Sequence, residues 1–232
     1  MRTVLLSLLG LVAAALVGLR GARTVLARTL TEALEEVRGP AAERLAARGL
    51  DLDELRENAA EIVLIGIKDE KRLELWVRRR GEAAAQLEAD YPVLAASGVA
   101  GPKLREGDHQ VPEGVYGIAG LNPNSRFHLS MKVDYPNAFD LARAREEGRT
   151  SPGGDIFIHG GARSVGCLAV GDAAIEELFL LVGEVGAERV LVLLCPSRPG
   201  AGFDRSSAGA LPPWIEDVDR ALETELARLG VR

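Results

Sequence analysis

Cysteine and histidine are scarce in this chain, and their scarcity limits its chemistry. The 232 residues contain two cysteines and three histidines, with no Cys-x-x-Cys pair. Two cysteines cannot build the disulfide framework of a small secreted domain. A zinc site from His159, Cys167 and either Cys195 or His128 is conceivable, but it lacks the closely paired ligands of structural zinc sites. We therefore expect no metal and no other cofactor.

Basic blocks, internal repeats and low-complexity tracts are also missing. The formal net charge is −6. Without clustered lysine and arginine, nucleic acid is not an expected partner. The length suits one catalytic domain plus appendages. Hydrophobic residues make up 47% of the chain, which is enough for a sizeable core.

A long apolar run lies at the N-terminus. It extends over residues 4–19, behind Arg2 and ahead of Arg20 and Arg23. It is short for a comfortable transmembrane helix and long for a signal-peptide core. Because no small-x-small cleavage site directly follows it, residues 1–27 are predicted to be an uncleaved membrane anchor. The arginines beyond the run, by the positive-inside rule alone, would leave the rest of the chain in the cytoplasm.

Residues 28–58 are predicted to be a helical spacer between the anchor and a catalytic domain. Two residue pairs have the spacing of a capping box, which marks a helix N-terminus: Thr29 with Glu32, and Asp51 with Glu54. Pro40 follows a glycine and is predicted to open a second short helix, because proline fits the first helical turn.

Residues 59–205 are predicted to form a β-rich catalytic domain, followed by a C-terminal loop and docking helix at 206–232. Apolar runs, alternating or continuous, predict strands at 61–68, 72–78, 126–133 and 189–195. The Ala/Glu/Gln-rich run 82–90 is predicted to be a short helical insertion. Asp172 is predicted to be the N-cap of a helix that reaches Val185. Because the strands are close in sequence with glycine-rich turns between them, the expected fold class is α+β, a mixed β-sheet with peripheral helices.

The most informative segment runs from Asp155 to Cys167 and reads DIFIHGGARSVGC. An apolar run delivers His159 at its end, a glycine-rich turn follows, and small residues then present Cys167. In acyl transfer through a thiol, an imidazole accepts the thiol proton and the thiolate attacks. Backbone N–H groups then stabilise the developing oxyanion. A strand-end histidine and a small buried thiol also fit this spacing, so the pair alone does not decide. Cys195 ends an apolar run and is predicted to be a core thiol.

Three sequence blocks within residues 60–200 support the catalytic interpretation. The first is His159-Gly160 followed by Ser164-Val165-Gly166-Cys167. The second comprises GPK at 101–103, EGD at 106–108 and PEGVY at 112–116. The third comprises NPNS at 122–125, HLS at 128–130 and YPNAFD at 135–140. Together and in this order they resemble the L,D-transpeptidase (YkuD-type) family, most closely its YafK-like branch, and agreement across blocks is more specific than any one motif.

The resemblance implies a β-sandwich-like catalytic fold in which Cys167 and His159 meet in a groove. It implies that Cys167 is the nucleophile, attacking a peptidoglycan stem peptide at the L-centre of a diamino acid, and that His159 is the general base and then the acid. Gly166 and Cys167 are expected to supply oxyanion N–H groups. Ser164 is expected to orient the loop, and a plain turn serine explains it equally well. Substrate-binding roles fall on five further positions: Gly160, Arg163, Lys103, His128 and Tyr116.

Two departures from the family pattern affect these roles. The wider family has a histidine where this chain has Val165, and the valine agrees with the YafK-like branch. The family also places an arginine or asparagine soon after the cysteine, where this chain reads Leu-Ala-Val. Arg163, Lys103 and Lys132 are alternatives for that contact with the substrate carboxylate, and each also fits an ordinary surface cation. His128 lies on a polar strand face and is either solvated or part of the cleft.

The function expected from the resemblance is acyl transfer through a cysteine thioester in cell-wall remodelling. An amine acceptor gives a cross-link or protein attachment, whereas water gives hydrolysis, including release of a wall-attached lipoprotein. A non-catalytic peptidoglycan-binding protein is the alternative of another class, and intact His159 and Cys167 argue against it. Because the family's substrate lies outside the inner membrane, the resemblance implies a periplasmic domain anchored to that membrane. This location is opposite to the cytoplasmic one that the arginines beyond the apolar run would favour.

Overall fold

The computed structural model describes residues 27–200 and 202–231. Its helices are α1 (Leu30–Ala47), α2 (Leu52–Asn58), α3 (Ala138–Glu146), α4 (Asp172–Val185) and α5 (Ile215–Leu229). Its strands are β1 (Ala59–Ile67), β2 (Arg72–Arg79), β3 (Gln86–Pro92), β4 (Gly114–Ser125), β5 (His128–Val133), β6 (Phe157–His159), β7 (Leu168–Ala169) and β8 (Val190–Cys195).

Strand β8 lies near the middle of a mixed sheet with the order β3-β2-β1-β8-β4-β5-β6-β7. It pairs in parallel with β1 and antiparallel with β4. The β6–β7 pair is also parallel, and the other neighbours are antiparallel. Every residue of β8 is apolar because a strand covered on both faces needs apolar side chains in both directions. The predicted α+β class, a mixed sheet with peripheral helices, is confirmed.

The helices cover both faces of the sheet. Successive side chains of β1 point to opposite faces, and they join two different clusters. Ile62 and Leu64 pack with the buried residues of α1, α2 and α4. Val63 and Ile65 pack with the apolar stripe of α5, which includes Leu222. The segment predicted to be a spacer is thus a packed layer of this domain.

The predicted break at Pro40 is wrong, because α1 continues through the proline without interruption. Proline removes one backbone donor from a helix interior. Here Val37 and Ala41, on either side of it, are buried, and α1 packs along α4. Ion pairs from Arg44 to Glu176 and Glu177 (2.6 and 3.0 Å) hold the same two helices together. The capping box at the start of α1 is present as predicted.

The helical insertion predicted at 82–90 is wrong, because residues 86–92 form β3, antiparallel to β2. The helix propensity of this run is outweighed by the burial of every second side chain, which only a strand can provide. Ala89, Tyr91 and Val93 are buried, and the Tyr91 hydroxyl donates to Glu177 at 3.0 Å. A strand places these side chains on one face, which a helix does not.

Two further expectations concern chain ends and caps. Gly171, not Asp172, is the N-cap residue of α4, and Asp172 is the first residue of the helix. The predicted anchor lies outside the described residues except for Ala27. Within the described ranges, no helix has both the length and the apolar character needed to cross a membrane.

Candidate active site

The ends of two neighbouring strands bring His159 and Cys167 to one groove. His159 is the last residue of β6, and Cys167 immediately precedes β7. The two strands are parallel, with Ile158 beside Leu168. Both functional side chains line a groove of about 590 Å³. The structure therefore brings together the pair that the sequence predicted.

The β4–β5 hairpin supplies much of the remaining wall of this groove. Its lining residues are Asn122, Asn124, Ser125, Arg126, Phe127 and Ser130. Ser130 is buried and is the sheet partner of His159. None of these six residues was among the predicted site residues. The available signal was the alternating pattern of 126–133, but only strand pairing shows that this hairpin lies beside the histidine.

The His159 ring is buried, with 3% of the residue exposed. Its Nδ1 lies 2.7 Å from the carbonyl oxygen of Gly160. A carbonyl only accepts, so Nδ1 carries the hydrogen and Nε2 keeps a free lone pair. Burial lowers the pKa of His159, because a less hydrated site disfavours the imidazolium, and the bond to Gly160 opposes this in part. A neutral imidazole in this tautomer can act as a general base.

Cys167 is half-buried. Burial is the main cause that raises its pKa, and the charge of Asp155 acts in the same direction. The backbone N–H of Phe157 and the charge of Lys103 lower the pKa by less. The thiol donates to the Asp155 carbonyl at 3.5 Å. The downward shift of the His159 pKa and the upward shift of the Cys167 pKa both favour the uncharged forms of these two side chains.

The loop between His159 and β7, residues 160–167, is held by two serine hydroxyls. Ser164 Oγ accepts from the Cys167 N–H at 3.0 Å and donates to the Cys167 carbonyl at 2.7 Å. Gly166 has φ = 84°, a conformation that favours glycine. Its N–H donates to Ser97 Oγ at 2.7 Å. The two N–H groups predicted to bind the oxyanion therefore both donate to serine oxygens.

Gly160 lies where the hairpin and α4 approach the loop most closely. A Cβ at this position would lie 2.5 Å from the Phe127 carbonyl oxygen and 2.6 Å from an Asp172 carboxylate oxygen. That carboxylate also accepts from the Gly161 N–H at 2.7 Å. Gly160 thus shapes the turn after His159, and Asp172 ties that turn to the start of α4.

Three predicted substrate-binding residues lie away from the groove wall. Lys103 is buried and pairs with Asp108 at 2.6 Å. Tyr116 is buried, and its hydroxyl lies 3.2 Å from the Glu113 carbonyl. His128 is half-buried and its Nε2 lies 2.8 Å from Glu176.

Arg163 lines the groove, and Arg126 lines it as well. Both are exposed, and neither has a carboxylate partner within the described residues. Lys132, by contrast, is paired with Asp155 at 2.8 Å. The described residues contain no group of histidine, cysteine and carboxylate side chains arranged to hold a metal ion. The groove thus offers a thiol, a base and two free guanidinium groups.

Comparison with known proteins gives one family. A model of the YkuD L,D-transpeptidase catalytic domain matches residues 61–192. A protein of Escherichia coli (strain K12) named "Putative L,D-transpeptidase YafK" is 37% identical over 117 residues, which cover 50% of this chain and 44% of that protein. The chain therefore matches less than half the length of that curated relative.

Two of the solved structures that the chain resembles are from Campylobacter jejuni and Bdellovibrio bacteriovorus. The helical cell shape determining protein Pgp2 from Campylobacter jejuni is 23% identical, with a TM-score of 0.47 over 64% of this chain and 55% of that one. Bd1075 of Bdellovibrio bacteriovorus is 19% identical, with a TM-score of 0.44 over 74% of this chain and 56% of that one. The family match itself runs from β1 into β8 and includes both His159 and Cys167. The chain belongs to the L,D-transpeptidase catalytic domain family.

Proposed function

We propose that this protein is a cysteine-dependent acyltransferase that acts on peptidoglycan stem peptides. The observation that carries the proposal is the meeting of His159 and Cys167 in one groove of a domain of this family. Cys167 is the nucleophile, and His159 is the base that activates it.

The proposed reaction has two acyl-transfer steps. The Cys167 sulfur attacks the donor carbonyl carbon while Nε2 of His159 takes the thiol proton. The carbon–nitrogen bond then breaks, and His159 returns the proton to the departing amine, which leaves a thioester. In the second step an incoming amine or water attacks the thioester, His159 accepts its proton, and the product leaves as the thiol is restored.

The charges of the groove suit a peptide that carries carboxylates. Stem peptides are anionic at their free carboxyl groups, and a guanidinium binds a carboxylate through two parallel hydrogen bonds. Arg163 and Arg126 line the groove without carboxylate partners among the described residues. We therefore assign contact with the donor carboxylate to these two arginines. Lys103 acts only through its charge, which lowers the pKa of the Cys167 thiol.

The acceptor determines the overall reaction. An amine gives a cross-link or an attached protein, and water gives hydrolysis, by which a wall-attached lipoprotein would be released. We also propose that residues 1–27 anchor the domain on the periplasmic side of the inner membrane, where peptidoglycan lies. The support for this location is the apolar run and the family's substrate.

The decisive experiment incubates the full-length chain with purified muropeptides and identifies the products by mass. Cross-linked products mean transfer, and shortened stems mean hydrolysis. In parallel, a carbapenem should add its mass to Cys167. If muropeptides bind but neither products nor an acyl adduct form, the protein is a non-catalytic peptidoglycan-binding protein and the proposal is wrong.

A further inference from the structure

We propose that Phe127 is a positioning residue for the reaction: its ring holds the His159 imidazole in place and shields it from water. This inference rests on the proposed role of His159 as the base. It concerns the tip of the β4–β5 hairpin and gives Phe127 a role separate from the carboxylate contact proposed for its neighbour Arg126.

The two rings are stacked. Their centroids are 4.5 Å apart, and their planes differ by 26°. Phe127 itself is 37% exposed, whereas His159 is 3% exposed. The phenyl ring therefore lies between the imidazole and solvent on that face.

The backbone on both sides of this stack is fixed. The Phe127 N–H donates to Ser125 Oγ at 3.1 Å. The Phe127 carbonyl oxygen approaches Gly160 so closely that a Cβ there would lie at 2.5 Å. On the other side, the Gly160 carbonyl accepts from Nδ1 of His159 at 2.7 Å. The imidazole is thus held edge-on by Gly160 and face-on by Phe127.

Contacts with α4 and with the start of α1 hold the hairpin tip in position. His128 lies 2.8 Å from Glu176 of α4, which also binds Arg44 of α1 at 2.6 Å. The Asn124 amide exchanges hydrogen bonds with the Arg28 backbone at 2.9 and 2.8 Å. The hairpin is therefore a firm support for the ring that covers the base.

This arrangement predicts how the base responds when the ring is removed. In Phe127→Ala, water reaches the imidazole and stabilises its charged form, so the pKa of His159 should rise toward its ordinary value of about 6.5. The base also loses its fixed orientation, so carbapenem acylation near pH 7 should fall by about 10- to 100-fold. Phe127→Tyr keeps the ring and should restore most of both properties. Phe127→Leu keeps apolar volume without a stacked ring and should restore little of the rate.

The experiment is a histidine NMR titration of full-length protein, with acylation rates measured on the same samples. Only three histidines are present, so spectra of His159→Gln assign the His159 signal. The other titratable or charged groups on this groove wall are Cys167, Asp155, Arg126 and Arg163, with Asp172 at the adjacent turn. The titration is therefore repeated in Cys167→Ala. Leu141→Ala is the matched control, because it removes an apolar side chain of comparable exposure (44%) outside the groove.

The outcomes separate this inference from the proposed function. An unchanged or lower pKa of His159 in folded Phe127→Ala overturns it, even if the wild type turns over muropeptides. Equal acylation rates in Phe127→Tyr and Phe127→Leu also overturn it. Conversely, an inactive wild type whose His159 pKa rises on loss of the ring would refute the proposed activity and leave the shielding role of Phe127 intact.

Discussion

At the scale of single residues, the two cysteines differ sharply in environment. Cys195 ends β8 with no exposed surface, and burial raises its pKa far above the ordinary range. Cys167 lines the groove beside His159. Cys167→Ala should therefore abolish acyl-adduct formation and leave folding intact, because the covalent path needs its sulfur.

The control for this prediction is Cys195→Ala. It should keep the adduct and lose at most about 1 to 3 kcal/mol of stability through a small cavity. Intact-protein mass after carbapenem treatment and a urea melt measure the two properties. An adduct that survives in Cys167→Ala but vanishes in Cys195→Ala would reverse the assignment.

The pH dependence of acylation follows from the opposite shifts of His159 and Cys167. The pKa of His159 is lowered from 6.5, so the rate should begin to rise below that pH, as neutral imidazole becomes available to accept the thiol proton. In His159→Gln the thiol must ionise unaided. Its pKa is raised above 9.0, so the rate should rise only in alkaline solution. Near pH 7 the loss should be about 10²- to 10⁴-fold.

Stopped-flow acylation across pH measures these profiles. His109→Asn is the control, because His109 is exposed and has φ = 57°, which asparagine tolerates well. It should reproduce the wild-type profile. If His159→Gln does so as well, the base lies elsewhere and His159 is structural.

At the scale of elements, α1 is a structural layer of the domain. Leu45 has no exposed surface and packs in the main core cluster. Leu45→Ala should therefore lower the free energy of unfolding by about 2 to 5 kcal/mol. Leu30→Ala, on the same helix but 40% exposed, should cost well under 1 kcal/mol, on the order of 0.5. Urea melts of both variants test whether α1 is a packed layer, and equal small losses would make it a detachable spacer.

Helix α3 carries a titrating carboxyl group at its start. Burial raises the pKa of Asp140 from 3.8 to about 6. Its oxygens accept from the Asn137 N–H at 3.0 Å and lie 3.4 Å from the Tyr116 hydroxyl. Because the folded state binds this proton more tightly, its contribution to stability is complete below about pH 4 and is lost as pH rises through about 6.

Asp140→Asn mimics the protonated form and should remove this dependence. Between pH 4 and 7 the wild type should lose about 2 to 3 kcal/mol more stability than the variant does, the equivalent of roughly two pKa units. Urea melts at the two pH values measure the difference. Parallel stability curves for the two proteins would show that Asp140 does not titrate near pH 6.

At the scale of the whole molecule, the proposed location can be tested without a substrate. A reporter that is active only outside the cytoplasm, fused after Arg232, should be active, and the protein should pellet with membranes. The physical reason is that the run at residues 4–19 contains no charged residue that would favour water over the membrane interior. A soluble cytoplasmic pool would contradict both the anchor and the wall substrate, and would agree with the arginines that follow the run.

The sequence by itself determined the broad fold class and predicted the two central residues of the candidate site. His159, Cys167 and the glycines between them lie within one short segment. A local motif of this kind can be recognised without knowing the long-range packing. The apolar run of β8 and the capping box of α1 were likewise readable, because burial and capping leave local patterns. Where two local signals competed, as in residues 82–90, propensity gave the wrong element, since pairing with β2 outweighs it.

Only the tertiary structure decided what surrounds His159 and Cys167. Strand pairing places the β4–β5 hairpin beside β6, and so puts Phe127 over His159 and Arg126 in the groove. Lys103 and Tyr116, which were predicted to bind substrate, are buried and lie away from the groove wall. Such contacts join residues that are far apart in the chain, and they depend on strand order and register, which the local pattern of side chains does not specify.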